Sequence, residues 1–304
     1  MKVGKKSFFI IECFYILTHK YPGILEIINY YLILRMKEKV FFITGATDGI
    51  GKLVAIDLAR QYKDATILIH GRNNEKLEKS LVEIKKASGN PNIETWLADF
   101  SSMNEVRDIA EKILSKHPAI ELLINNAGAG FAAPHYGKDG TEMRFAVNYL
   151  APFLLTRILL PALKKADGSR IVNVASAGQS AIHFDDIMLE NKFDAITAYT
   201  QSKLALIMFS IDLAEEMLHD QITVNSLHPG TYLDTGMVRA SGISPQGTAQ
   251  SGADAVVYLA VSPDLINVTG KYFNVKKETR AHAQAYDSAA RKKLRVIGSK
   301  LTGV

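Results

Sequence analysis

The run Val40-Phe-Phe-Ile-Thr44-Gly45-Ala-Thr47-Asp48-Gly49-Ile50-Gly51 sets four apolar residues against three closely spaced glycines. A short unbroken apolar run bounded by glycine predicts a strand buried on both faces. The glycines allow a tight turn and a close approach of backbone to phosphate. Apolar residues at helical spacing over 50–62 place a helix N-terminus, with its free N–H groups and positive dipole end, directly behind the turn. The spacing is Gly-x3-Gly-x-Gly, not the commoner Gly-x-Gly-x2-Gly. Strand, glycine turn and helix in that order predict a dinucleotide-binding unit. Thr44, Gly45, Thr47, Asp48, Gly49, Ile50 and Gly51 are its candidate cofactor residues.

Outward from this unit the pattern alternates. Strands are predicted near 66–70, 92–98, 121–125, 170–175, 221–227 and 271–275. Helices are predicted near 73–87, 103–116, 141–166, 198–218 and 252–261, the third tolerating Pro152. Strict alternation predicts an α/β fold: a single Rossmann-type, doubly wound parallel sheet of about seven strands, with helices on both faces. No Pro/Gly/Ser linker divides residues 36–304, so they read as one domain. Ligands of such sheets lie outside the carboxyl ends of the strands.

The composition agrees. With 304 residues, 47% hydrophobic and 22% charged, the chain is an ordinary globular one, and disordered and low-complexity classes are excluded. One cysteine, Cys13, excludes a disulfide scaffold and a cysteine-based zinc site. No His-Glu-x2-His or similar cluster occurs among the eight histidines, so no metal is expected. The net charge of +5 includes +3 from residues 1–35, and no basic stripe supports nucleic-acid binding.

Residues 1–35 differ from the remainder. They hold seven aromatic residues and seven isoleucines, in apolar runs at 8–17 and 24–34. Each run is about half the length of a membrane span, and no small-x-small cleavage site follows the basic start. Three readings fit: a membrane anchor or hairpin, an extra element on the domain, or a stretch outside the natural protein, with translation starting at Met36. The first makes the protein membrane-associated; otherwise a cytoplasmic location is expected.

Two further features carry chemistry. The second strand ends Ile69-His70-Gly71-Arg72, without the carboxylate that usually bonds the adenine ribose of NAD. Arg72 suits a 2′-phosphate, so NADP(H) is preferred and NAD(H) is the alternative. Tyr199 and Lys203 lie four apart on a predicted helix, hence on one face. An ammonium near a phenol favours the phenolate and lowers its pKa toward the working pH. Tyr199 is thus a candidate acid for ketone reduction or base for alcohol oxidation. A second Tyr-x3-Lys pair, Tyr272/Lys276, has no serine-bearing strand end just before it and reads as packing. Ser176, at the end of the strand 170–175, stands before Tyr199.

These motifs resemble those of the short-chain dehydrogenase/reductase family over nearly all of 39–304. Thr44–Gly51 resembles its cofactor loop, and Asn125-Asn126-Ala127-Gly128 its fourth-strand motif. Asp99 resembles the residue contacting adenine, with Phe100 beside it. Asn148, Ser176, Tyr199 and Lys203 resemble its catalytic tetrad. The resemblance implies that Lys203 also bonds the nicotinamide ribose and that Asn148 holds a water in a proton relay. Ser176 and Tyr199 would then hold the substrate carbonyl. His183-Phe184-Asp185-Asp186-Ile187, the 23-residue gap from Ser176 to Tyr199, and the tail from Gly270 to Val304 look like the retinol dehydrogenase-like branch. That branch implies an NADPH-dependent reductase of lipophilic aldehydes or ketones. The alternatives are an NAD-dependent alcohol dehydrogenase and a non-catalytic dinucleotide-binding regulator. A homodimer or homotetramer, paired through helices 141–166 and 198–218, is implied as well.

The sequence departs from the family pattern after the sixth strand. Pro229-Gly230-Thr231 is followed by Thr235, so the nicotinamide-contacting threonine is either Thr231 or Thr235. Asp48 stands where NADP-dependent members often carry a basic residue. Residues 232–251, with Gly236, Gly242, Pro245 and Gly247, read as a substrate lid whose inner face is Met237, Val238 and Ile243.

Overall fold

In the computed structural model, strand β1 (Val40–Ile43) is buried along its whole length. Its alternation serves two cores. Val40 and Phe42 join one apolar cluster, and Phe41 and Ile43 the other. The structure describes residues 39–304; the expectations for residues 1–35 and for Met36 lie outside the described residues. Helix α1 (Gly49–Gln61) follows β1, then β2 (Thr66–Gly71), α2 (Asn74–Ser88), β3 (Ile93–Leu97), α3 (Met103–Lys116) and β4 (Leu122–Asn125). Next come α4 (Ala151–Lys165), β5 (Ser169–Val174), α5 (Ala195–Glu216) and β6 (Ile222–His228). A short α6 (Gly236–Ala240), then α7 (Ala249–Val261), β7 (Tyr272–Asn274), β8 (Lys277–Thr279) and α8 (Ser288–Thr302) complete the chain.

The sheet order is β3-β2-β1-β4-β5-β6-β7-β8, parallel except for the last pair. β1 lies between β2 and β4, so successive connections leave it in opposite directions and open a crevice at its carboxyl end. The sheet has eight strands where about seven were expected. β8 is fully exposed and polar, so it lacks the apolar run that marks a buried strand. α1, α2 and α7 cover one face of the sheet; α3, α4 and α5 cover the other.

The long helix expected over 141–166 is interrupted. One helical turn, Met143–Phe145, passes into a wide π-type turn, Ala146–Leu150, and then α4, with Pro152 in its first turn, directly behind the wide turn. The span Met143–Lys165 is long and apolar enough to cross a membrane, but 78% of its most apolar window is buried inside the domain. α8 packs on α5 through a bidentate Arg291–Glu215 pair (2.6 and 2.8 Å) and reaches Tyr149, whose hydroxyl donates to Leu294 O. The chain's own last helix thus covers part of the helical face that the family resemblance assigns to a second subunit.

Candidate active site

The glycine loop is seated by its neighbours across the crevice. Asn126 Nδ2 donates to Thr44 O (2.9 Å) and Gly45 O (3.1 Å). Thr44 Oγ1 accepts from the amides of Asn126 (2.9 Å) and Ala127 (3.0 Å). Gly45 has φ +66°, and a Cβ there would lie 2.8 Å from Ala127 Cα. At Gly51 a Cβ would lie 2.3 Å from Asn126 Nδ2 and 2.4 Å from Gly45 O. Both positions therefore require glycine. Asp48 caps α1 through Gly49 N–H (2.8 Å) and also accepts from Gly236 N–H (3.2 Å). The carboxylate thus ties the segment at Gly236 to the loop. Thr47 packs on Gly71, at the end of β2.

The adenosine side contains a residue that the sequence reading passed over. His70 is 3% exposed and stacks on Phe100 (3.9 Å, 14°), so the Phe100 ring is buried. Its Nδ1 accepts from Gly45 N–H (3.2 Å), and its Nε2 lies 3.0 Å from Ala98 O. Those partners require the neutral Nε2–H tautomer. Burial lowers its pKa to about 4. Because the unfolded chain binds a proton near pH 6.5 and the native chain does not, stability is complete above pH 6.5. It falls as pH drops toward 4, by about 3 kcal/mol in all. Urea unfolding at pH 7 and 4.5 is expected to show this loss in the parent chain and a smaller one in His70→Phe. Equal losses would exclude His70 as the source.

Asp99 accepts from Ser101 N–H (3.0 Å) and pairs with Lys138 (3.4 Å). Although burial opposes them, these partners hold its carboxyl below the usual range. Arg72 is exposed at the end of β2, with no ion-pair partner among the described residues.

Asn148 and Lys203 meet beside Gly128, Lys203 lies near the Tyr199 ring, and Ser176 neighbours Tyr199. Asn148 is fully buried on the wide turn. Its Oδ1 accepts from Ala129 N–H (2.8 Å), and its Nδ2 donates to Ala129 O (3.1 Å) and Ser202 Oγ (2.9 Å). A Cβ on Gly128 would stand 3.3 Å from Asn148 Oδ1 and 3.5 Å from Lys203 Nζ. Lys203 Nζ donates to Val174 O (2.9 Å), at the end of β5, and burial lowers its pKa to about 8. Burial pushes the Tyr199 phenol's pKa upward, and the neighbouring Ser176 side chain offsets this only in part. This corrects the expectation of a lysine-lowered phenol: Lys203 Nζ is 5.8 Å from the ring centroid and spends a proton on Val174. The Phe131 ring meets Tyr199 edge-on at 4.6 Å.

Pro229 is buried and Gly230 half-buried at the end of β6. Thr231 Oγ1 contacts His228 Nε2 (3.1 Å), whereas the methyl group of Thr235 sits where a Cβ on Gly49 would fall (2.9 Å). Of the two threonines, Thr235 is the one at the loop. In the segment 232–251, Met237 rests over Gly128 and Gly130, and Val238 and Ile243 are half-buried. The buried anchor is Leu233, packed on Gly230, Gly247 and Gly252.

Other contributors were not visible as motifs. Tyr272 donates its hydroxyl to Ser176 O (2.9 Å), and Gln179 Nε2 donates to the same carbonyl (2.9 Å). Tyr272 therefore does more than pack. Arg144 and Glu142 form a fully buried ion pair (2.8 Å), and Arg144 also donates to the carbonyls of Phe131, Ala133 and Pro134. Only the mixture of charge and burial near Asn148 hinted at this hub, and the sequence shows only the charge.

A family model described as short chain dehydrogenase matches residues 39–245. Retinol dehydrogenase 13 of Mus musculus is 36% identical over 288 residues, covering 88% of this chain and 84% of that protein. An uncharacterised protein from Mycobacterium Paratuberculosis superposes with a TM-score of 0.71 at 25% identity, covering 88% of this chain and 94% of that one. A protein of Escherichia coli CFT073, assigned as a short chain dehydrogenase and solved with NADPH, gives 0.64 at 27% identity, covering 78% and 96%. With the crevice, the glycine loop and the polar cluster at the strand ends, these likenesses place the chain among the short chain dehydrogenases, NAD(P)-dependent oxidoreductases of alcohol and carbonyl groups.

Proposed function

We propose that this chain is an NADPH-dependent reductase of a lipophilic aldehyde or ketone. The observation that carries the reading is the meeting of Ser176, Tyr199 and Lys203 at the carboxyl end of β5, with the Phe131 ring against Tyr199. The residues present fit the dinucleotide: backbone bare of side chains at Gly45 and Gly51, the first-turn amides of α1, and an exposed guanidinium at Arg72. When bound, NADPH supplies the hydride. Tyr199 donates a hydrogen bond, and then its proton, to the carbonyl oxygen. Ser176 donates a second hydrogen bond to the same oxygen. Lys203, 5.8 Å from the Tyr199 ring centroid and bonded to Val174 O, would hold the nicotinamide ribose. Asn148 holds Ala129 and Ser202 in place beside Lys203.

The reading of an apolar substrate draws on Phe131 and on Tyr136, Phe193, Tyr232 and Met237, which are exposed in segments leading to the site. The retinol of the relative's name is an alcohol of this kind. We place the protein in the cytoplasm; the alternative is a membrane surface reached through residues 1–35.

The test compares NADPH with NADH and screens aromatic, aliphatic and retinoid carbonyls. NADPH is expected to bind about tenfold or more tightly than NADH, and Arg72→Ala to remove most of that preference. Equal affinities in the parent chain would instead favour the NAD-dependent alcohol dehydrogenase. Binding of either cofactor, with no turnover of any carbonyl or alcohol, would favour the regulator.

A further inference from the structure

We infer that His70 is a positioning residue of the cofactor site, which holds the glycine loop and the end of β3 in one arrangement. The inference rests on the reading of residues 44–51 and Asp99 as the dinucleotide's seat. His70 secures two consecutive amides of the loop. Its Nδ1 accepts from Gly45 N–H (3.2 Å), and its own carbonyl accepts from Ala46 N–H (2.9 Å). On its other edge, Nε2–H donates to Ala98 O (3.0 Å), immediately before Asp99, while Gly71 O accepts from Ala98 N–H (3.2 Å). Stacking on Phe100 fixes the ring plane.

Among the described residues, no hydrogen bond joins 44–51 directly to 97–101; they are linked through the end of β2, by its backbone at His70 and Gly71 and by the His70 ring, which bonds both segments. A neutral imidazole presents an acceptor and a donor on opposite edges of one rigid ring. That geometry lets one buried side chain set the separation of two segments that a dinucleotide must bridge. Turning Gly45 and Ala46 N–H inward also decides which loop amides remain for phosphate.

The test is His70→Phe, which keeps ring volume and stacking but loses both hydrogen bonds. His70→Gln is the second variant, should His70→Phe fail to fold; it keeps one donor and one acceptor on a flexible stem. Asn90→Ala serves as the stability control. It removes three side-chain hydrogen bonds, to Tyr62 O (3.1 Å) and Ala65 O (3.0 Å) and from Asn92 N–H (2.7 Å), at the opposite end of the same layer. Dissociation constants for NADPH and for the fragment 2′,5′-ADP are measured by fluorescence and calorimetry, with steady-state kinetics at saturating cofactor.

Both constants are expected to rise about tenfold in His70→Phe and less in His70→Gln. Carbonyl KM and kcat should change less than about twofold, and Asn90→Ala should keep parental affinity despite a comparable fall in Tm. Parental affinity in the His70 variants would overturn the inference, as would an equal loss in Asn90→Ala. Failure of the parent chain to bind NADPH or NADH would instead overturn the reading of the seat, and the inference with it.

Discussion

Tyr199→Phe is expected to lose about 100- to 10,000-fold in kcat while binding NADPH as tightly as the parent chain. The substitution removes one oxygen and leaves the ring, so the edge contact with Phe131 at 4.6 Å survives. What disappears is the proton donor at the carbonyl oxygen. Lys203 is 4% exposed and already donates to Val174 O, so it is poorly placed to replace the phenol. A serine hydroxyl is too weak an acid to do so. The loss corresponds to about 3–5 kcal/mol of transition-state stabilisation. Steady-state kinetics with a fluorescence titration of NADPH check it. Full turnover in the variant would remove Tyr199 from the mechanism.

Arg144→Ala is expected to cost about 3–5 kcal/mol of stability. Arg144 and Glu142 are both inaccessible to solvent and 2.8 Å apart. Removing the guanidinium strands a buried carboxylate and leaves three carbonyls, those of Phe131, Ala133 and Pro134, without this donor. The double variant Glu142→Gln/Arg144→Met, which removes both charges, should lose less than the single variant. Urea unfolding of the two variants decides this, and a smaller loss in the single variant would contradict it. The same contacts hold the loop that brings Phe131 to Tyr199, so kcat should fall at temperatures where Arg144→Ala is still folded.

The parallel sheet was legible because its signals are local. β1 is four consecutive apolar residues followed by glycines, and the alternation of elements repeats that grammar. β8 was not legible, since its stability comes from pairing with β7 rather than from apolar side chains. Ser176, Tyr199 and Lys203 were readable for the same local reason, since Ser176 follows a strand and Tyr199 and Lys203 share a helix face, whereas Asn148 came from the family resemblance alone. Their electrostatics were not. Helical spacing brings Lys203 near Tyr199, but burial and the Val174 carbonyl, both tertiary, decide the charge balance. His70, Arg144 and Tyr272 escaped because each acts through backbone groups that no side-chain pattern reports. Tyr272, for instance, reaches a carbonyl 96 positions away.

The pairing of β1 with β4 at the centre of the sheet has a kinetic consequence. The register sets Phe41 against Leu122 and Ile43 against Ile124, and the backbone bond from Thr44 to Ile124 O closes the seam (3.0 Å). Three helices and two strands must be looped out before the first of these contacts forms, and the entropy of that closure is lost before any pairing compensates it. The molecule therefore assembles in the slow regime of nonlocal topologies. Until the seam closes, Val40–Ile43 is an uninterrupted apolar strand with an open edge, so the element on which the cofactor crevice is built is also an aggregation hazard during folding.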